Sequence, residues 1–145
     1  MDFLNRLISA LTESHPLHPM IVHFPIALSG AAALFILLAL WRKDEIFEKF
    51  AFANITLAAV ASIFAGASGM YDNQLTYSGD APNAGLKILL AIILLVISST
   101  VAITRWRNPQ VFNSKAKAIY VAGYLVSFML AIVLAFLGGV ILYGF

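Results

Sequence analysis

The chain has 145 residues, of which 61% are hydrophobic and 11% charged, with a net charge of +2 and no cysteine. A soluble domain carries about 25% charged residues, so the composition excludes an ordinary soluble protein and predicts an integral membrane protein surrounded by a lipid bilayer. The absence of cysteine excludes disulfides, thiolate metal sites, iron–sulfur clusters and covalently attached haem. The small net charge gives no indication of nucleic-acid binding.

The first predicted element is a short helix over about residues 2–13. Its apolar side chains fall on one helical face, and its polar side chains lie largely on the other. That pattern is typical of a helix that lies in the membrane interface rather than across the bilayer.

Four apolar segments follow, each long enough to cross a hydrocarbon core of about 30 Å as a helix. Their bounds are about 19–41, 50–71, 84–104 and 118–145. Charged or turn-rich segments separate them, namely "RKDEIFEK", "DNQLTYSGDAPN" and "RWRNPQVFNSKAK". The predicted fold class is therefore all-α, an integral membrane four-helix bundle that forms a single domain over residues 1–145.

The basic residues predict how this bundle is oriented. Seven of the nine lie in the loops after the first and third spans: Arg42, Lys43, Lys49, Arg105, Arg107, Lys115 and Lys117. Because basic loops stay in the cytoplasm, both termini are expected on the outer, periplasmic side. Glycines in the last span favour contact with a second protomer, so a homodimer or a larger membrane complex is one expected partner.

All three histidines and three of the five prolines lie in one segment, "HPLHPMIVHFP", residues 15–25. Pro19 suits the first turn of a helix, which places His18 at the start of the first span. Pro25 falls inside the span, where it frees the carbonyl of Ile21 and is expected to kink the helix. His23 lies within that turn, and an ionisable group there usually pairs with another polar group.

The preferred partner of His23 is Asp72, at the end of the second span. Asp80, Asn83 and Lys87 are expected to extend this polar cluster. In a purely structural interpretation, the histidines bond to free carbonyls and to Asp72 and thereby stabilise the kinked helix.

Two kinds of ligand are compatible with the same residues. His15, His18 and His23 together with Asp72 could hold zinc or copper, although the spacing matches no recognised zinc signature. His18, His23 and Met70 are the candidate residues for haem b. Since His18 and His23 are about 140° apart around a helix, they cannot bind one iron from opposite faces. A haem would need a single ligand, Met70 opposite, or a histidine from a second protomer.

Catalytic motifs are absent from the sequence, which has no nucleophile motif, no phosphate-binding glycine loop and no paired carboxylates. This favours a role other than that of an enzyme.

The segment "LHPMIVHFPIAL" resembles the HPxxVHFP signature of a bacterial family of predicted membrane proteins, domain of unknown function 2231. The matching positions are His18, Pro19, Val22, His23, Phe24 and Pro25, and a glycine-rich second span ending at Asp72 fits as well. The resemblance implies about four spans in a bacterial cytoplasmic (inner) membrane. Many members have a further histidine at the start of the third span, where this chain has "APNAGLKILL". If that histidine is an axial haem ligand in the family, this chain has lost it.

Some relatives are joined to redox domains, which suggests electron transfer by association. The leading interpretation is a small redox-associated or metal- or haem-binding membrane subunit, with haem b ahead of copper or zinc. The alternative is an accessory or structural subunit without a cofactor, in which the histidine cluster stabilises the bundle or an oligomer interface.

Overall fold

The computed structural model describes Leu4 and residues 17–143. This part of the chain forms four long helices, α1 to α4, each long and apolar enough to cross a membrane. They span Leu17–Arg42, Glu45–Tyr77, Ala84–Arg107 and Lys117–Tyr143, and a 3-10 turn, Val111–Asn113, precedes α4. No strand occurs among the described residues. The predicted all-α membrane fold with four spans is confirmed. The predicted interfacial helix lies outside the described residues apart from Leu4, and so does His15.

Each helix packs on its neighbours in chain order, and α4 closes the bundle against α1. The neighbours run antiparallel, which gives the bundle two different ends. At one end, which we call the His18 end, α1 and α3 begin while α2 and α4 end. At the other, the Glu48 end, α1 and α3 end while α2 and α4 begin.

Helix α2 is longer at both ends than the predicted span. It begins at Glu45 because the carboxylate of Asp44 accepts a hydrogen bond from the Ile46 amide at 2.9 Å. It continues through "DNQLTY" to Tyr77, so the loop predicted for this stretch is wrong in its first half. The reason lies in Asn73, whose side chain bonds to the backbone of Gly79 and Ala81, both at 3.0 Å. This one side chain provides hydrogen-bond partners for two backbone groups of the turn that follows, so the helix can extend to that turn.

The other spans are close to their predicted bounds. Helix α1 begins at Leu17, which places Pro19 in its first turn, and the helix continues through Pro25. The buried core lies towards the Glu48 end, and its members come from all four helices and the 3-10 turn: Ala32, Ile36, Ala39, Ala51, Ile55, Val101, Ala102, Val111, Phe112, Tyr120, Val121 and Tyr124.

The outer surface of the bundle is apolar, as a surface in contact with lipid must be. Large hydrophobic side chains are exposed on every helix, for example Leu34, Phe64, Ile92 and Phe136. A soluble monomer would not expose so much contiguous apolar surface. Trp41 and Trp106 are exposed at the Glu48 end, where the membrane interface favours amphipathic rings.

Candidate functional site

A cavity of about 420 Å³ opens between the four helices at the His18 end. Its walls are mostly apolar, from residues such as Val22, Ile26, Leu94 and Leu134. Polar side chains also line it, and they come from α1, α2 and α3: His18, His23, Ser62, Asp72, Asn73, Thr76, Tyr77 and Lys87. An apolar cavity with a few polar groups is the usual form of a small-molecule or cofactor site, and such sites occupy roughly 300–1,000 Å³.

His18 links α1 to α2 at the wall of this cavity. Its Nδ1 lies 3.0 Å from the hydroxyl of Ser68, and that hydroxyl donates its proton to the carbonyl of Ala65, also at 3.0 Å. Because a serine has one proton to donate, the bond from His18 is a donation from Nδ1–H. The lone pair of the neutral ring is then on Nε2, which makes no hydrogen bond to a described residue and could accept one or bind a metal.

Gly69 explains how the imidazole of His18 fits between the helices. A Cβ added at Gly69 would lie 2.7 Å from Cε1 of His18 and 3.2 Å from both ring nitrogens. Real Cβ atoms do not approach so closely, so a glycine at this position leaves the space that the ring fills. Ser68 and Gly69 together fix the ring in position and orientation.

His23 has a different environment from the predicted one. Its Nδ1 donates to the carbonyl of Pro19 within α1, and its side chain is exposed at the mouth of the cavity. Among the described residues no hydrogen bond joins His23 to Asp72. The carboxylate of Asp72 instead accepts from the hydroxyl of Thr76 at 3.2 Å, one turn further along α2. The expected His23–Asp72 hydrogen bond is therefore not formed, since each group finds a local partner in its own helix.

The remaining predicted residues are partly gathered at the same cavity. Met70, Asp72 and Lys87 line it together with both described histidines, whereas Asp80 and Asn83 do not. Within the described part of the chain, no three His, Asp or Glu side chains lie close enough together to hold a metal ion. His15, the remaining predicted metal ligand, lies outside those residues.

A second polar cluster, which was not predicted from the sequence, lies at the Glu48 end. Arg105 donates from Nε and Nη2 to the two carboxylate oxygens of Glu48 at 2.6 and 3.0 Å. The hydroxyl of Tyr120 donates to the same carboxylate at 2.7 Å, and the hydroxyl of Tyr124 lies 2.7 Å from that of Tyr120. Glu48 is 2% exposed and Tyr124 is fully buried. This network joins α2, α3 and α4.

The burial of Glu48 could have been predicted from its position on the helical face that it shares with core residues. Although it lies in the charged stretch "RKDEIFEK", it is three and seven residues before Ala51 and Ile55, which are both fully buried. Residues at this spacing share a helical face, so Glu48 had to point into the bundle. A buried carboxylate needs donors, and Arg105 and Tyr120 supply them. Its oxygens are used by these partners, which indicates a structural role rather than a ligand site.

Comparison with known proteins adds the family. The chain matches the family described as predicted membrane protein (DUF2231) over residues 14–145. No curated protein and no solved structure matches the chain. The match covers nearly the whole chain, including both polar clusters, and the described helices are those of a multi-pass membrane protein. The chain therefore belongs to the DUF2231 family of predicted membrane proteins.

Proposed function

We propose that the protein is a small membrane subunit that holds a redox-active, largely apolar cofactor in the cavity at the His18 end, with His18 as the ligand from this chain. The observation that carries the proposal is the fixed imidazole of His18. Its Nδ1–H is bonded to Ser68 and its ring lies against Gly69, Nε2 makes no hydrogen bond to a described residue, and the side chain lines the cavity. Metal-binding histidines are typically oriented in this way by a hydrogen bond from the other ring nitrogen.

Haem b is the cofactor that this donor set fits best. An apolar cavity with an imidazole nitrogen is a common haem site, and haem when bound supplies one-electron transfer. His23 and Met70 also line the cavity. His23 is bonded back to Pro19, so His18 is the ligand that the described residues hold in place. Zinc or copper is less well supported, because the described residues bring no three ligands together.

The proposed function is tested by absorption spectra of the purified protein, oxidised and then reduced with dithionite, with elemental analysis of the same sample. A Soret band that shifts on reduction, with one iron per one or two chains, would support haem b. Stoichiometric copper or zinc without that band would replace haem by a metal site. A colourless, metal-free and folded protein would contradict the proposal.

The distribution of charge supports an orientation in which the His18 end faces the periplasm of a bacterial inner membrane. Seven basic residues lie near the Glu48 end, and this bias favours a cytoplasmic location for that end. Because the chain lacks cysteine, single cysteines at the exposed positions Asp80 and Gln110 report the two sides without background labelling. In intact spheroplasts, an impermeant maleimide should label Asp80→Cys and not Gln110→Cys. The reverse pattern would invert the orientation.

A specific observation also favours the alternative, an accessory or structural subunit. The His18–Ser68 bond joins α1 to α2, so His18 stabilises the bundle even without a cofactor. In that case the protein would bind neither iron nor another metal, and it would lose stability without His18. Its function would then depend on a partner in the membrane.

A further inference from the structure

Two serine hydroxyls are buried in the bundle without a hydrogen-bond partner among the described residues. Ser29 on α1 and Ser127 on α4 are both fully buried. Hydroxyls on α2 and α3 bond back to a carbonyl of their own helix, as Ser62 does to Ala58 at 2.8 Å and Thr100 to Val96 at 2.7 Å. This is the usual behaviour of serine and threonine inside a helix. Ser29 and Ser127 depart from it.

The two serines lie at one level of the bundle. Helices α1 and α4 are in contact at Gly30 and Phe128, since a Cβ at Gly30 would lie 3.1 Å from the ring of Phe128. Ser29 immediately precedes Gly30, and Ser127 immediately precedes Phe128. A third buried serine, Ser98 on α3, belongs to the same level. It lies one turn from Val101 towards the His18 end, and Ser127 lies one turn from Gly123 in the same direction. Val101 and Gly123 are in contact across α3 and α4.

This level lies directly beneath the cavity. Pro25, Leu94 and Ala131 line the cavity, and each is four residues towards the His18 end from one of the three serines. Four residues are about one helical turn, or roughly 6 Å, and residues at this spacing share a helical face. Ser29 is also near the middle of α1, so the level corresponds to the centre of the membrane.

We propose that Ser29 and Ser127 bind water at the floor of the cavity, so that the cavity is hydrated from the His18 end to the centre of the membrane. Hydrocarbon offers no partner to a buried hydroxyl, and an unpartnered one opposes folding. An internal water needs two to four polar neighbours. The two free hydroxyls and the oxygen of Ser98, whose proton goes to Leu94 at 2.7 Å, provide three.

Hydration ends at this level because the next layer is apolar. Towards the Glu48 end, Ala32, Ile36 and Ile55 are fully buried, and so is Tyr124. Water is thus supplied from one side of the membrane, which would bring protons to the cavity from the His18 end and not from the Glu48 end.

Single cysteines test this proposal, since the chain has none of its own. Ser29→Cys and Ser127→Cys change one atom of each side chain. In membrane vesicles, the probe is silver ion, which reaches thiols through water-filled space, and unreacted thiols are counted after denaturation. Ala135→Cys, on the exposed wall of the cavity, is the accessible reference, and Ala32→Cys, fully buried one turn deeper, is the protected one.

Both serine positions should react within about tenfold of Ala135→Cys and at least about tenfold faster than Ala32→Cys, since a protected thiol reacts only when the structure opens. Rates as slow as that of Ala32→Cys would show that the serine level is dry and overturn the proposal. The proposal would also be overturned if Ala135→Cys reacted as slowly as Ala32→Cys. Either serine variant suffices if the other fails to fold. The labelling is done on cofactor-free protein, so its outcome is separate from that of the test of haem binding.

Discussion

His18 lies so close to Gly69 that a Cβ at position 69 would be 2.7 Å from Cε1 of the imidazole. The ring is thereby held between α1 and α2, with Nδ1 bonded to Ser68. A glycine in α2 thus determines where a side chain of α1 presents its free nitrogen.

The first prediction concerns this contact. Gly69→Ala should displace the imidazole of His18, break its bond to Ser68 and lower both the melting temperature and the retention of any cofactor. Gly66→Ala is the matched control, because Gly66 also lines the cavity and an added Cβ would contact no other described residue within 4 Å. Alanine is favoured over glycine in a helix by about 1 kcal/mol, so the control should be neutral or more stable. Equal melting temperatures for the two variants would contradict the packing described for His18.

The second prediction compares the two described histidines without a cofactor. His18→Ala should destabilise the bundle by about 1–3 kcal/mol, because it breaks a bond between two helices and leaves the Ser68 oxygen with one partner fewer. His23→Ala should have a small effect, since His23 is exposed and bonds within its own helix. Thermal unfolding in detergent measures both variants. A larger loss for His23→Ala would revive its pairing with Asp72.

The third prediction concerns the ion pair at the Glu48 end. Arg105→Met leaves the carboxylate of Glu48, which is 2% exposed, without its counter-charge. Removing one partner of a buried pair typically lowers the free energy of unfolding by about 3–5 kcal/mol. Arg107→Met, at an exposed position in the same turn, should change it little. Replacing both Glu48 and Arg105 by Met should recover much of the loss. If Arg105→Met and Arg107→Met lowered the free energy of unfolding equally, the role assigned to the ion pair would be refuted.

The fourth prediction concerns the tyrosines of that network. Tyr120→Phe removes a hydrogen bond to a carboxylate, which is worth about 1.5–3 kcal/mol, whereas Tyr124→Phe removes a neutral bond worth about 0.5–1.5 kcal/mol. Because the two hydroxyls are bonded to each other, the double variant should lose less than the sum of the single variants. Additive losses in equilibrium unfolding would show that the hydroxyls act independently.

The fold could be predicted from the sequence because the spans are marked by hydrophobic length. The ends of α2 were less accessible, since Asp44 and Asn73 act through hydrogen bonds that hydropathy does not encode. The position of the cavity was predictable in part, because His18, Met70 and Asp72 lie near span ends that meet at one side of the membrane. The partner of His18 was not, since Ser68 is one of many small residues in α2 and its distance from His18 depends on helix packing.

The burial of Glu48 was also not predicted, although the local sequence holds part of the information. Composition assigns it to a charged loop, whereas its helical phase assigns it to the core. Glu48 is buried, because Arg105 and Tyr120 donate hydrogen bonds to its carboxylate. Residues from three helices make this cluster, and no spacing within one segment reveals it.

The measurement that tests the central claim most directly is the haem content of wild-type protein, His18→Ala and His23→Ala, expressed with ample haem and purified in parallel. The proposal predicts stoichiometric haem in the wild type, nearly the same in His23→Ala, and loss or a strong spectral shift in His18→Ala. Rescue of the His18 variant by added imidazole would identify the ring nitrogen as the ligand. Haem retained unchanged without His18, or absent from the folded wild type, would contradict the assignment of the cavity.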